Sequence, residues 1–259
     1  MRYFIYSNDD ELSLSVVQRI RYFISCNGNG DFIFDENNPE FVISVGGDGR
    51  FLKCIQKYIT QIQDIAVIGV STGSLGYLCD YSLDNLDSFL SDLISCTPHY
   101  ETIKLIEVYT GRDVNFYLNE FRVEKLFDAL NLEVYINEKL FENFKGNGLN
   151  FSSSTGSTGY NKSLNGPVIS NKINSLIIGE IAPINNKISK TFNSFLVCSE
   201  KDVITLKGDF TNCSIGGDYF NEICNQPLDS IIIKLSNIKM RFAHFRRFDY
   251  YQNIKKAFL

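Results

Sequence analysis

Tryptophan is absent from this sequence and histidine nearly so, His99 and His244 being the only two in 259 residues. A histidine-rich zinc centre is excluded without cysteine help, and imidazole-based catalysis would have to rest on one of those two side chains. Cysteine offers little. The seven, at 26, 54, 79, 96, 198, 213 and 224, are odd in number and no pair has CxxC spacing, so reduced, mostly buried thiols are expected. An excess of positive charge is missing as well. Thirty Asp and Glu against 25 Lys and Arg leave a net charge of −5 and a pI near 5.2, which argues against nucleic acid as a partner. No apolar stretch approaches the roughly 18 residues of a membrane span. The N-terminal MRYFIYSNDDE turns acidic before a signal-peptide core could form, so a cytoplasmic protein with no membrane partner is expected.

What is present is ample apolar content, 44% of residues, enough for one large core or two modest ones. Over residues 1–97 short strand candidates alternate with helical ones. RYFIYS, FVISVGG and IAVIGVST read as buried strands; DDELSLSVVQRIRYFISC, with Leu12, Val16, Ile20 and Phe23 at helical spacing, RFLKCIQKYI and LDNLDSFLSDLIS read as helices. This alternation implies an open, Rossmann-like α/β domain with its ligand site at the carboxyl ends of the strands. From 98 to 240 the runs are short and often alternating, Leu132, Val134 and Ile136 sharing one face, so a β-rich, sandwich-like domain is expected. Residues 241–259 interleave arginine and lysine with aromatics. They read as an amphipathic segment packing its rings back on the first domain.

Four stretches could carry chemistry. In VGGDGRF, Gly46, Gly47 and Gly49 let a ligand approach the main chain, and a helix starting near Arg50 would turn its free N–H groups toward a phosphate of ATP, with Arg50 available to neutralise charge. Asp48 in such a turn should repel the anion; a structural reading makes it the helix cap. A second glycine turn, GVSTGSLGYL, should reach the same sheet edge, with Tyr77 placed to stack on a base or sugar. In SSSTGSTGYNKSLNGP, eight hydroxyl side chains among sixteen residues supply donors without charge, and a short helix starts between Thr155 and Tyr160. Asn119 and Glu120, ending a strand, could read an adenine edge or ribose hydroxyls.

Taken in order, GGDG, TGSLGYL, LNE and TGSTGYNKSLNGP resemble the NAD kinase family, over residues from about 41 to the C-terminus. The resemblance implies transfer of the γ-phosphoryl of ATP, accompanied by Mg²⁺ or a similar divalent ion, to the adenosine-ribose 2′-hydroxyl of NAD. It makes Asp48 the acceptor-side catalytic group and assigns NAD contacts to Gly49, Tyr77, Asn119, Glu120, Lys145, Thr155, Thr158, Gly159, Tyr160, Ser163 and Ala182. It also implies a homodimer or homotetramer whose site is shared between subunits. Four positions depart from the family pattern: Asn147 stands where an aspartate is usual and Tyr219 where bacterial relatives often have histidine, both still assigned to NAD binding, with Tyr77 in place of the usual phenylalanine and Gly159 where alanine is common. Two other readings are open at this point, a different GGDG kinase acting on a lipid or sugar phosphate, and a dinucleotide-binding protein without turnover.

Overall fold

The computed structural model describes residues 1–73, 76–111, 113–247 and 249–259. Ser74 and Leu75 of the second glycine turn, Arg112 of the TGRD turn and Phe248 of FAHFRRF lie outside the described residues. The chain forms two compact units, Met1–Ile103 together with Ile238–Leu259, and Lys104–Asn237.

The first unit is built on parallel strands. Ile33–Phe34 pairs with Arg2–Ser7, which pairs with Phe41–Val45; Ala66–Ser71 follows, and Arg241 and Phe242 of the long strand Ile231–His244 pair with Ala66 and Val67. Every residue of Phe41–Val45 and Ala66–Ser71 is buried, the mark of a parallel sheet covered on both faces. Helix α1 (Glu11–Asn27) is capped by Asp10, whose carboxylate accepts from the Ser13 N–H at 2.9 Å. It buries Val16, Val17, Ile20 and Ile24 and leaves Leu12 exposed, so the inward stripe is rotated from the Leu12–Phe23 line that spacing suggested. Ser13 takes the inward place instead, because its hydroxyl is held by Asp10 at 2.8 Å and meets Thr72 at 3.0 Å.

Helices α2 (Asp48–Lys57) and α3 (Leu86–Ser95) follow their strands as the alternation required. The last helix here is Tyr250–Phe258. Ahead of it, Phe242 stacks on Phe51 with ring centroids 5.0 Å apart, Phe245 lies 6.0 Å from Phe41, and Arg246 donates to Asp92 at 2.6 Å. The aromatic-basic segment is therefore packed into its unit by its rings, and the arginine is held by a carboxylate.

In the second unit the pairing is antiparallel. One sheet runs Leu196–Ser199, Ser175–Ile181, Gly148–Ser153, Glu120–Glu124, Ser214–Gly217 and Phe220–Ile223. Another set pairs Lys139–Gly146 with Leu130–Ile136, and that strand with Ile204–Gly208. The alternating inward residues, among them Phe121, Val123, Leu132, Val134, Phe151 and Ile178, form one core. No helix among the described residues is long and apolar enough to cross a membrane.

Candidate active site

The strand Phe41–Val45 ends in a backbone that only glycine adopts easily: Gly46 has φ +150°, and a Cβ there would lie 2.8 Å from the Arg50 side chain. Gly47, not Asp48, is the N-cap of α2, and no side chain caps it. The capping role considered for Asp48 is thus replaced by another. Its carboxylate spans to the second glycine turn, accepting from the Tyr77 N–H at 3.0 Å and the Leu78 N–H at 2.9 Å. The two turns do converge, through this carboxylate. Burial pushes the Asp48 pKa up, and the two N–H donors pull it part of the way back, so the net shift is upward. A Cβ added at Gly47 or Gly49 would meet open space, leaving room for a ligand above the first turn of α2. Arg50 is engaged locally, its guanidinium 5.0 Å from the Tyr6 ring and bonded to Asn8. The Tyr77 ring lies 6.4 Å from that of Phe258.

In the second unit the Asn119–Glu120 turn is gripped from three sides. Asp218, at the tip of the hairpin after Gly216–Gly217 and with φ +51°, accepts from the N–H groups of Leu118, Asn119 and Glu120 at 2.8, 2.8 and 3.2 Å. Backbone packing is so close that a Cβ at Gly217 would sit 1.8 Å from the Glu120 carbonyl oxygen, and one at Gly156 would sit 1.9 Å from that of Asn119. Ser153 donates to the Leu118 carbonyl at 2.6 Å, and its hydroxyl accepts from the Gly156 N–H at 3.1 Å. Sequence reasoning missed Asp218; its only signal was a glycine pair preceding an acid, GGD, a hundred residues from the turn it holds.

Glu120 is buried, and no described donor reaches its carboxylate. Burial first, then the charge of Asp218, push its pKa to about 7. Because the folded value exceeds the unfolded one, the folded protein binds the extra proton between about pH 4.5 and 7, and Glu120 makes stability fall as pH rises through that window. Glu120→Gln should therefore flatten the melting temperature between pH 5 and 7 relative to wild type, as differential scanning calorimetry can measure.

The hydroxyl loop is ordered by its own bonds. A 3₁₀ turn over Thr155–Thr158 is followed by α4 (Tyr160–Ser163), and Ser157 donates to the Ser154 carbonyl at 2.6 Å while accepting from the Ile169 N–H at 2.9 Å. Thr155 is buried, Thr158 donates to the Thr155 carbonyl at 3.2 Å, and Ser163 is exposed. Gly159 faces Glu120, a Cβ there lying 3.6 Å from Oε2. Tyr160 is held over the Glu120–Glu124 strand: its hydroxyl is 3.2 Å from Glu124, and the Arg122 guanidinium lies 4.3 Å from its ring centre. Arg122 was not among the expected site residues. Glu120, Arg122 and Glu124 share a face because the strand alternates.

Lys145, Asn147 and Ala182 form a separate group. Asn147 donates its backbone N–H to Ile181 and its amide to the Lys125 carbonyl, both at 3.0 Å, the latter a bond that an ionised aspartate could not make. Ala182 is left-handed at φ +45°, its carbonyl 2.8 Å from a Cβ placed on Gly146. Register pairs Ser152 with Glu120 but Gly148 with Glu124, so Asn147 lies at the far end of that strand from the Asn119–Glu120 turn, roughly 17 Å away by strand rise. Lys145 lines an open groove of about 760 Å³ with Lys187, Lys190 and Lys207. Tyr219 follows Asp218 and is exposed. Among the described residues there is no group of three His, Cys, Asp or Glu side chains that could hold a metal ion.

This chain is similar to known proteins along its whole length. It is 30% identical to an NAD kinase of Leuconostoc mesenteroides, covering 100% of this chain and 98% of the relative, and 32% identical to an NAD kinase of Latilactobacillus sakei with the same coverage. The crystal structure of a yeast NADH kinase complexed with NADH shares the fold, with a TM-score of 0.82 at 14% identity over 98% of this chain and 86% of that one. Residues 33–97 match the family model of the ATP-NAD kinase N-terminal domain and residues 115–245 that of the C-terminal domain. The chain belongs to the NAD kinase family.

Proposed function

We propose that this enzyme transfers the γ-phosphoryl group of ATP to the 2′-hydroxyl of the adenosine ribose of NAD, producing NADP. The observation that carries the reading furthest is the Asp48 carboxylate, held by two N–H groups of a second glycine turn beside open space over Gly47 and Gly49. Asp48 orients the acceptor hydroxyl and takes its proton late in a loose phosphoryl-transfer transition state, where little basicity is demanded. Its raised pKa makes it a better acceptor than an exposed carboxylate. The backbone around Gly47 and Gly49, at the start of the ten-residue α2, holds phosphate of ATP, while the N–H of Gly46 is taken by the Val70 carbonyl at 3.0 Å. Mg²⁺ arrives with ATP as part of that substrate.

On the NAD side, Asn119 and Glu120 hold the adenosine sugar and base, Glu120 as a bare acceptor for ribose hydroxyls. Thr155, Thr158, Gly159, Tyr160 and Ser163 line that binding surface, and Tyr77 packs on the dinucleotide. Lys145, Asn147, Ala182 and Tyr219 complete recognition in a homodimer or homotetramer. Support for the shared site comes from the position of Asn147 at the far strand end, which suits service to a second copy's NAD. The cytoplasm is the proposed compartment.

Incubation of the pure protein with NAD, ATP and Mg²⁺ is expected to yield NADP, read by mass spectrometry or an NADP-specific dehydrogenase. NAD bound without NADP formed would instead identify a binding module, and failure to bind NAD would point to a different acceptor.

A further inference from the structure

Asp48 is aimed by two backbone N–H groups, and the segment that carries them, Gly76–Asp80, must itself be held still. Part of the hold is steric: a Cβ on Gly69 would lie 2.7 Å from Cys79 Sγ and 2.9 Å from the Leu78 carbonyl, so the segment is pressed against the strand Ala66–Ser71. The other part is ionic. Asp80, two residues beyond Leu78, receives Nδ1 of His244 at 2.5 Å. The other ring nitrogen, Nε2, faces Glu101 at 3.5 Å. Carboxylates at ion-pair distance from both ring nitrogens, 2.5 and 3.5 Å, favour the imidazolium over the neutral ring. The residue is 2% exposed, its ring lying 6.3 Å from Phe242 and 5.4 Å from His99.

We infer that His244, as an imidazolium clamped between Asp80 and Glu101, is a positioning residue for phosphoryl transfer: it anchors the Tyr77–Leu78 amides that aim Asp48. The inference rests on the assignment of Asp48 to the acceptor hydroxyl. His244 touches no substrate in this role. The two carboxylates outweigh the cost of burial and raise its pKa to about 9. The folded value lies above the unfolded one, so the anchor is fully present below about pH 6.5 and is lost as pH rises through about 9.

With NAD, ATP and Mg²⁺, the wild-type enzyme should show kcat falling on an alkaline limb near pH 9. Asp80→Asn and His244→Gln should each lower kcat at pH 7.5 by about ten- to a hundredfold, the scale of a misaimed catalytic group, with KM for NAD changed little. His244→Arg, a cation that does not titrate, should recover much of the loss seen in His244→Gln and shift the limb upward. Imidazole NMR reads the clamp without any activity: with only His99 and His244 to assign, the His244 resonance should titrate near pH 9 in wild type and closer to 6.5 in Asp80→Asn. A His244 resonance titrating near 6.5 in wild type, an alkaline limb unchanged in His244→Arg, or wild-type kcat in Asp80→Asn would each overturn the proposal. Absence of NADP from wild type at every pH would defeat the functional reading and the positioning role with it, while the NMR titration would still report whether the clamp exists.

Discussion

Asp48→Asn is expected to lower turnover by about a thousandfold or more while NAD binding stays within a few-fold of wild type. Each carboxylate oxygen accepts one backbone N–H, Oδ2 from Tyr77 and Oδ1 from Leu78. An asparagine keeps a single acceptor and sets its NH₂ against the other N–H, so one of the two bonds is exchanged for a donor-donor contact. The amide can neither take the hydroxyl proton nor offer it a charged acceptor. Binding survives because the contacts proposed for the adenosine sugar belong to the Asn119–Glu120 turn and the hydroxyl loop, which the substitution does not touch. Steady-state kcat and calorimetric titration with NAD separate the two effects. Turnover near wild type in this variant would remove Asp48 from the chemistry.

Asp218→Ala should be the most damaging change outside the glycine turn. The aspartate satisfies three consecutive N–H groups in a partly buried turn, and removing it leaves all three without that acceptor. At about 1–3 kcal/mol for each unsatisfied buried donor, with some relief from water entering the vacated space, destabilisation of about 3–5 kcal/mol is expected. A fall of roughly 10 °C in Tm follows for a chain of this size. The KM for NAD should rise about tenfold, equivalent to about 1.4 kcal/mol of lost contact, because Asn119 and Glu120 are no longer presented together. Asp218→Asn, which retains one acceptor oxygen, should fall between the two in both readouts. If Asp218→Ala melted like wild type with an unchanged KM, the three hydrogen bonds would carry neither stability nor presentation of the turn.

Several elements were legible in the residues alone because their signals are local. The alternation of β-branched runs with helical stripes over the first hundred residues, the glycines at 46, 47 and 49, and the period-2 line Leu132, Val134, Ile136 each depend on neighbours a few positions away. The GGDG turn, the NE pair and the TGSTGYNKS loop were likewise found as strings, and their order along the chain pointed to the family. Local reading misjudged two details. It put Leu12 on the inner face of α1, where Ser13 is drawn inward by partners on both sides, and it weighed Asp48 as a helix cap.

Other features could not be read before the chain was folded, since they join residues far apart. Asp218 reaches Leu118 across 100 positions and His244 reaches Asp80 across 164. Arg122 over Tyr160 depends on which strand the hydroxyl loop covers, and the distance between the Asn119–Glu120 turn and Asn147 depends on register along one strand. By itself the sequence determined the α/β and β-rich halves, the positions of the glycine turns, and the acids and hydroxyls that those turns and loops carry, because propensity, periodicity and backbone freedom act over a few residues. Only the tertiary structure decided how those groups are aimed: which amides hold Asp48, what grips the Asn119–Glu120 turn, and where the imidazole of His244 sits. Aim is set by hydrogen bonds between distant segments, whose pairing is fixed by packing and register of the whole chain.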